Sequence, residues 1–379
     1  MSRWDLAVIG AGVVGVFHAY WAARAGMRVL LIERNDWPRH ASARNFGMVI
    51  PSGMVAGPWH ERALASVAVY EELVAAVGLP GVRRGMTYLA ATDREAAVLA
   101  EFARIGPDHG YRCELLTPEA ARVANPAIRP VACHAALSFP DDLLLDPPGF
   151  FQRMILWLTG QFAVDYRPRT WVTAVERAPD GCIVRLAGGE AVNAARAIIC
   201  PGAESATLFP EVFARAGVSF TRLQMMRTVP QAAVLSTGIG TGWTIRRYDS
   251  FALAPLYEQL RQEPLPESIA RFGIHVLMKQ DNSGAVTIGD SHQTPPDEGA
   301  LRPELDMAID NAILDHAQAM IDLPTWQIAA RWSGAYPTHP TESLLREQID
   351  DRITLVVILD GKGMTCAPAV ARETVDALA

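Results

Sequence analysis

Short apolar runs closing on glycine turns dominate the pattern of this chain. Leu6-Ala7-Val8-Ile9 is a block of apolar residues without alternation, as expected of a parallel strand buried on both faces. Glycines follow at positions 10, 12 and 15, and Val16 to Ala25 is compatible with a helix that Gly26 would end. Arg28 to Ile32 reads as a second strand ending at Glu33, and Ala197-Ile198-Ile199-Cys200 as another, closing on Pro201-Gly202. Gly273 to Gln280 and Ala285 to Gly289 flank Asp281-Asn282-Ser283-Gly284, which predicts a β-hairpin. Thr241 to Phe251, with Trp243, Ile245 and Tyr248, reads as one more strand. On such a strand Arg246 and Tyr248 share a face and Arg247 takes the other, and in the hairpin His275 and Lys279 line one wall together.

The Gly10, Gly12, Gly15 spacing is the dinucleotide fingerprint, and each glycine has a physical task. Gly10 permits the tight turn from strand to helix. Gly12 leaves room for a pyrophosphate, and Gly15 lets the helix approach the strands. The helix N-terminus offers unpaired N–H groups and partial positive charge to phosphates. Glu33, at the end of the second strand, can accept from ribose hydroxyls; its charge opposes a 2′-phosphate, which excludes NADP but leaves NAD and FAD open.

The flavin-type strands fall in three separated blocks, so the expected architecture is α/β with a discontinuous cofactor domain. It would use residues 1–76, 145–218 and 325–379, with a substrate domain of 77–144 and 219–324. Pro147-Pro148 and Pro295-Pro296 mark boundaries. The second domain would carry a mixed or antiparallel sheet as a roof, with ligand held between the domains.

Composition narrows the function. Among 379 residues, 50% are hydrophobic and 20% charged, which rules out disorder for most of the chain. A net charge of −7 argues against non-specific nucleic-acid binding. The five cysteines are scattered with no CxxC pair, so neither a zinc site nor a disulfide framework is expected and a cytoplasmic location fits. Leu6 to Ala25 is broken by glycines, His18 and Arg24, so neither a signal peptide nor a membrane span is expected. Asp141-Asp142 after Pro140 reads as an exposed turn, and no metal site is expected. Ser333 and Ser343 lie near His339 without a GxSxG elbow, which sets aside a hydrolase.

Four segments occur in a telling order: Ser42-Ala43-Arg44-Asn45-Phe46-Gly47-Met48, Trp171-Val172-Thr173-Ala174-Val175-Glu176, Ala197 to Ala203, and Asp360-Gly361-Lys362-Gly363-Met364-Thr365-Cys366-Ala367-Pro368. Together with the fingerprint they resemble the FAD-dependent amine oxidase family of D-amino acid oxidase, glycine oxidase and sarcosine oxidase, over nearly the whole chain. The resemblance implies a Rossmann-like FAD domain with a discontinuous second domain and non-covalent FAD. It assigns Gly10, Gly12, Val13, Val14, Gly15, Glu33 and Arg34 to the ADP half, Val172 to the adenine and Gly202 to the pyrophosphate. Ser42, Arg44, Asn45, Phe46 and Gly47 would approach the flavin ring, and Gly361, Lys362, Gly363, Met364 and Thr365 its pyrimidine end and ribityl chain. Cys366 is read as a buried small residue, not a flavin link.

Arg222-Leu223-Gln224-Met225-Met226-Arg227-Thr228, with Arg246-Arg247-Tyr248, resembles a branch of that family associated with aminophosphonate breakdown. Arg331 to Thr341 resembles the segment in which the amino-acid-oxidising members place an arginine against the substrate carboxylate; here Tyr336 occupies that place. A phenol cannot supply a guanidinium fork, yet it can donate to a phosphonate oxygen. Cations for an anionic substrate would come from Arg246, Arg247, His275, Lys279, His339 and Arg44, with Tyr248 beside them. Tyr336, Lys279 and His275 are the catalytic candidates, Lys279 also as a charge near the flavin during reoxidation by O2.

The implied reaction is oxidation of a primary or N-methyl amine, such as 2-aminoethylphosphonate or its N-methyl derivative, by hydride transfer to flavin N5. It gives an imine, then an aldehyde, with O2 reduced to hydrogen peroxide. The alternatives are a glycine, sarcosine or D-amino acid oxidase, a dehydrogenase passing electrons to a carrier, an NAD-dependent reductase, and a non-catalytic flavin-binding protein.

Overall fold

The computed structural model describes residues 4–78, 82–294 and 304–378. Two sheets organise it. The first has the order Leu344–Gln348, Ile353–Ile358, Ala191–Ile199, Trp4–Ile9, Val29–Ile32, Val164–Arg167, with the hairpin Val172–Ala178/Gly181–Leu186 paired to Ala191–Ile199. Its centre is parallel: Ile9 lies opposite both Ile199 and Ile32. The lack of alternation in Leu6 to Ile9 follows from burial on both sides. Leu6 and Val8 pack into one core with Phe17 and Tyr20, whereas Ala7 and Ile9 pack into another with Val184 and Leu355.

The second sheet has nine strands. Ile328–Thr338 pairs antiparallel with Ser219–Thr228, followed by Val286–Gly289, Leu277–Gln280, Gly238–Gly240, Arg83–Ala90, Ala135–Leu144 and Met48–Val49, with Glu114–Leu116 paired to Ala135–Leu144 off this path. One parallel pairing, Gly238–Gly240 on Arg83–Ala90, makes it a mixed sheet. The hairpin around Asp281-Gly284 is present, closed by Asp281 Oδ1 accepting from the N–H groups of Ser283 and Ala285. Ile328–Thr338 and Met48–Val49 belong to this second sheet, although the expected blocks placed them in the cofactor domain. The expected boundary at Pro295-Pro296 lies outside the described residues. Among the described residues no helix is long and apolar enough to cross a membrane.

Two expected local structures are replaced. Thr241 to Phe251 is not a strand: Gly242–Arg247 is helical and Asp249–Leu253 is a 3-10 turn. Thr241 and Thr244 form a reciprocal capping box, and Gly242 leaves space that the Glu95 carboxylate fills, since a Cβ there would lie 2.1 Å from Glu95 Oε1. The cap overrides the apparent alternation. Nor is Asp141-Asp142 an exposed turn; both residues continue the strand Ala135–Leu144. Pro140, which cannot donate to the ladder, sits where the register with Arg83–Ala90 shifts.

Asp142 is fully buried and accepts from Ser52 N at 3.1 Å and Ser52 Oγ at 2.5 Å. Burial pushes its carboxyl up to about 8. The folded protein therefore holds a proton that the unfolded chain releases near its ordinary value, so this site's contribution is present in acid and is lost as pH rises through about 8. Asp142→Asn should gain in melting temperature relative to the parent between about pH 5 and pH 9. A difference that stays constant over that range would contradict a protonated Asp142.

Candidate active site

Glycine contacts build the cofactor end of the cleft. A Cβ on Gly10 would lie 2.4 Å from Cys200 O, and one on Gly15 would lie 1.8 Å from Gly10 O. Strand, turn and helix Val13–Arg24 can approach this closely only with glycine at both positions. A Cβ on Gly12 would meet only Ser42 Oγ, at 3.0 Å, and Ser42 Oγ accepts from Val13 N at 2.8 Å. The N-terminus of a second helix, Gly363–Asp376, comes alongside, with the Cβ position of Gly363 3.6 Å from Val13 Cγ1. Two partial positive ends thus meet at one spot, suited to a diphosphate. Glu33 is buried, accepting from Ala11 N at 3.0 Å and from Asn35 N at 3.0 Å. Arg34 stacks over Trp171 at 5.2 Å, next to the buried Val172.

From there a cleft of about 920 Å³ runs past Gly202, Phe46 and Gly361 to Tyr336. Asn45 folds the 41–47 loop back on itself, donating to Ala41 O at 2.8 Å and accepting from Gly47 N at 2.6 Å. Gly47 has φ +71°, and a Cβ there would collide with Leu145 O at 2.1 Å. Thr365 Oγ1 accepts from Ile50 N at 3.1 Å and ties the second helix to the end of the strand Met48–Val49 that follows this loop.

The far end of the cleft is polar. Tyr336, on the strand Ile328–Thr338, lies beside Gly361, whose Cβ position is 3.8 Å from its ring. The exposed guanidinium of Arg247 lies near Tyr336 and Asp290, where its positive charge favours the ionised form of each, and no ion pair of Arg247 occurs among the described residues. Burial holds both Tyr336 and Tyr248 well above the usual phenol range, so each is a neutral donor. Behind them His275 Nε2 lies 3.2 Å from Asp290 Oδ1, and His292 Nε2 lies 3.8 Å from Asp290 Oδ2. Burial pushes both imidazoles well below their ordinary range and raises Asp290 to about 7, the latter partly offset by Arg247.

A family model described as "DAO: FAD dependent oxidoreductase" matches residues 5–377. The chain belongs to this family. The DAO fold is seen again in glycine oxidase from Geobacillus kaustophilus, 18% identical, TM-score 0.78, covering 100% of this chain and 95% of that one. L-alpha-glycerophosphate oxidase from Mycoplasma pneumoniae, solved with FAD bound, is 16% identical, TM-score 0.74, covering 100% and 95%. One subunit of the anaerobic glycerol-3-phosphate dehydrogenase of Escherichia coli K12 is 27% identical over 137 residues, 36% of this chain. The alignment spans a quarter (25%) of that relative's length. The protein is an FAD-dependent oxidoreductase, and the glycine-lined cradle with two helix N-termini fits the cofactor's diphosphate.

In this DAO-family chain the expected site residues fall into groups. Gly12, Val13, Val14, Ser42, Arg44, Asn45, Phe46 and Gly202 line the cleft, as do Gly361 to Thr365. Ser42 lies at the helix N-terminus, its hydroxyl accepting from Val13 N. Arg44 packs on the second sheet, donating to Ser333 O at 3.1 Å, while Trp332 Nε1 donates to Arg44 O. Cys366 points at Trp59 O, and burial raises its thiol to about 12.

Of the expected cations, Arg246 is bound to Glu263 at 2.9 Å with Glu95 at 3.6 Å, so its charge is already met. Lys279 is buried with Nζ donating to Leu145 O, under the Gly47 turn, and does not share a cleft wall with His275. The strand starts only at Leu277, so alternation does not extend back to His275. His339 lines the cleft, but its Nδ1 accepts from Thr341 N and Glu342 N, as a turn residue does. Arg246, Arg247 and Tyr248 all line the cleft, and because the segment is helical Arg247 does not take the opposite side from Arg246 as on a strand. Asp290 and His292 also line the cleft; their signal in the sequence is Asp-Ser-His directly after an apolar strand that ends in glycine.

Gly12→Val should fold, with unchanged circular dichroism, yet purify with at least about tenfold less FAD, because the added methyls project where a diphosphate must pass. Stoichiometric flavin in that variant would contradict the cradle.

Proposed function

We propose that the protein oxidises a small primary or N-methyl amine with an anionic tail, typified by 2-aminoethylphosphonate. The observation that carries this reading is Arg247: a solvent-reaching guanidinium with no ion pair among the described residues, lining the cleft near the neutral phenol of Tyr336. Together they offer several donors to a tetrahedral oxyanion, without the in-line fork that a carboxylate takes from a strand arginine. A phosphonate has three acceptor oxygens and suits divergent donors. Proteins similar to this one act by name on glycine and on glycerophosphate, an amine and a phosphate ester.

In this reading Arg247 and Tyr336 anchor the tail, and Tyr248, Phe46 and Leu223 shape the apolar wall around the carbon chain. The anchor fixes the distance from the tail to the reacting carbon, so the Cα–H is presented in one orientation. Bound FAD supplies the hydride acceptor. As the Cα–H electron pair leaves, the lone pair of the uncharged amine nitrogen closes the C=N bond. Water then converts the imine to an aldehyde and ammonia, or methylamine from the N-methyl substrate. Dioxygen as the final oxidant, giving peroxide, completes the proposed cycle.

Anaerobic mixing tests the reading. 2-Aminoethylphosphonate or its N-methyl derivative should bleach the flavin faster than glycine, sarcosine or D-alanine; equal or faster bleaching by those amino acids would overturn it. Arg247→Gln should lower kcat/KM for the aminophosphonate by about 10- to 150-fold, the loss of a charge-assisted contact, with flavin content unchanged. A second reading, oxidation of a phosphate-bearing alcohol, draws on the glycerophosphate relatives, and bleaching by glycerol phosphate but by no amine would favour it.

A further inference from the structure

His275, Asp290 and His292 form a polar group in the cleft wall that the steps above leave unused. One ligand atom from each lies within 4.8 Å of the others. Backbone bonds hold them in register: His275 N donates to Asp290 O at 3.2 Å, Asp290 N to His275 O at 2.8 Å, and His292 N to Phe272 O at 2.9 Å.

The hydrogen-bond network fixes where the protons are. The Thr244 hydroxyl donates to Val276 O at 3.1 Å, so its oxygen is left to accept from His275 Nδ1 at 3.3 Å. His275 is then the Nδ1–H tautomer, and its Nε2 presents a lone pair. That lone pair faces Asp290 Oδ1, 3.2 Å away, which has no hydrogen-bond partner among the described residues. Two acceptors confront each other in a buried place, and something positive must lie between them. One proton could bridge this pair. It would not bridge His292 Nε2 to Asp290 Oδ2 at 3.8 Å, which is beyond hydrogen-bond reach.

We propose that these three side chains bind a divalent cation of the zinc class, through His275 Nε2, Asp290 and His292 Nε2. Metal–ligand bonds of about 2.0–2.1 Å set tetrahedral ligand atoms about 3.3–3.4 Å apart; His275 Nε2 lies 3.2 Å from Asp290 Oδ1, close to that spacing, and His292 Nε2 lies 3.8 Å from the other oxygen of the same carboxylate. Thr244 accepting from the far nitrogen of His275 is the outer contact that orients a metal-bound imidazole. Two imidazoles and one carboxylate leave a coordination position open. It faces the cleft shared with Tyr336, whose ring centre is 6.2 Å from that of His292. Resting on the aminophosphonate reading, a phosphonate oxygen fills that position. The cation and Arg247 then balance the Asp290 carboxylate and a phosphonate dianion. This departs from the sequence expectation of no metal, because the ligands come from either side of a hairpin and show no ligand spacing along the chain.

The test is metal content, measured on the flavin-loaded protein without substrate. After exposure to zinc chloride and gel filtration, the parent should retain about one zinc per FAD, and His292→Gln and Asp290→Asn less than about a tenth, with flavin content unchanged. Zinc retention equal in parent and variants, or none in the parent, overturns the site. Should a variant misfold, X-ray absorption of the cobalt-loaded parent decides: two imidazoles in the inner shell support the site, and water alone overturns it. Added 2-aminoethylphosphonate should raise zinc affinity at least about tenfold. Zinc bound with no such effect retains the site and removes only its phosphonate ligand.

Discussion

The close approach of Gly15 to the Gly10 carbonyl, and of Gly10 to the Cys200 carbonyl, is the constraint on which the molecule depends. Any Cβ at either position would push the helix Val13–Arg24 off the first sheet. Because the helix sits so close, its N-terminus opens directly into the cleft, and Ser42 and Glu33 can reach the N–H groups of Val13 and Ala11. The helix Gly363–Asp376, which follows the strand Ile353–Ile358, adds a second partial positive end there. The cofactor's place is thus set by backbone geometry, with few charged side chains.

The two sheets divide the work. The first, apolar on both faces, is a rigid carrier for the loops that grip the cofactor. The second carries the polar groups at the far end of the cleft on or near its strands: Tyr336 on one, His275 and Asp290 at the two ends of a hairpin, and Arg247 from a short capped helix beside it. The 41–47 loop joins them, since Arg44 donates to Ser333 O and Trp332 Nε1 donates to Arg44 O across the junction. The cleft is therefore lined where both sheets contribute, the common place for a ligand site between domains.

What was legible in the sequence was the part governed by local rules. Parallel strands buried on both faces leave unbroken apolar runs, and a glycine fingerprint records a turn nothing else fits, so the cofactor half could be read at the level of single residues. The substrate half obeys longer-range terms. Thr241 to Phe251 alternates like a strand, yet the Thr241–Thr244 cap and the Glu95 carboxylate beneath Gly242 fold it as a helix. That change sent Arg246 to Glu263 and left Arg247 facing the cleft. Asp142 reads as a turn beside a proline, but the residue that buries it, Ser52, is 90 positions away. His292 joins His275 only through the hairpin closure, which spacing along the chain does not encode.

The most direct test of the central claim is a crystal structure of the reduced, FAD-loaded enzyme with 2-aminoethylphosphonate. The account requires phosphonate oxygens within about 3 Å of the Arg247 guanidinium and the Tyr336 hydroxyl, with the amine-bearing carbon over the flavin. A ligand whose phosphonate lies away from Arg247, with that side chain turned to solvent, would contradict it.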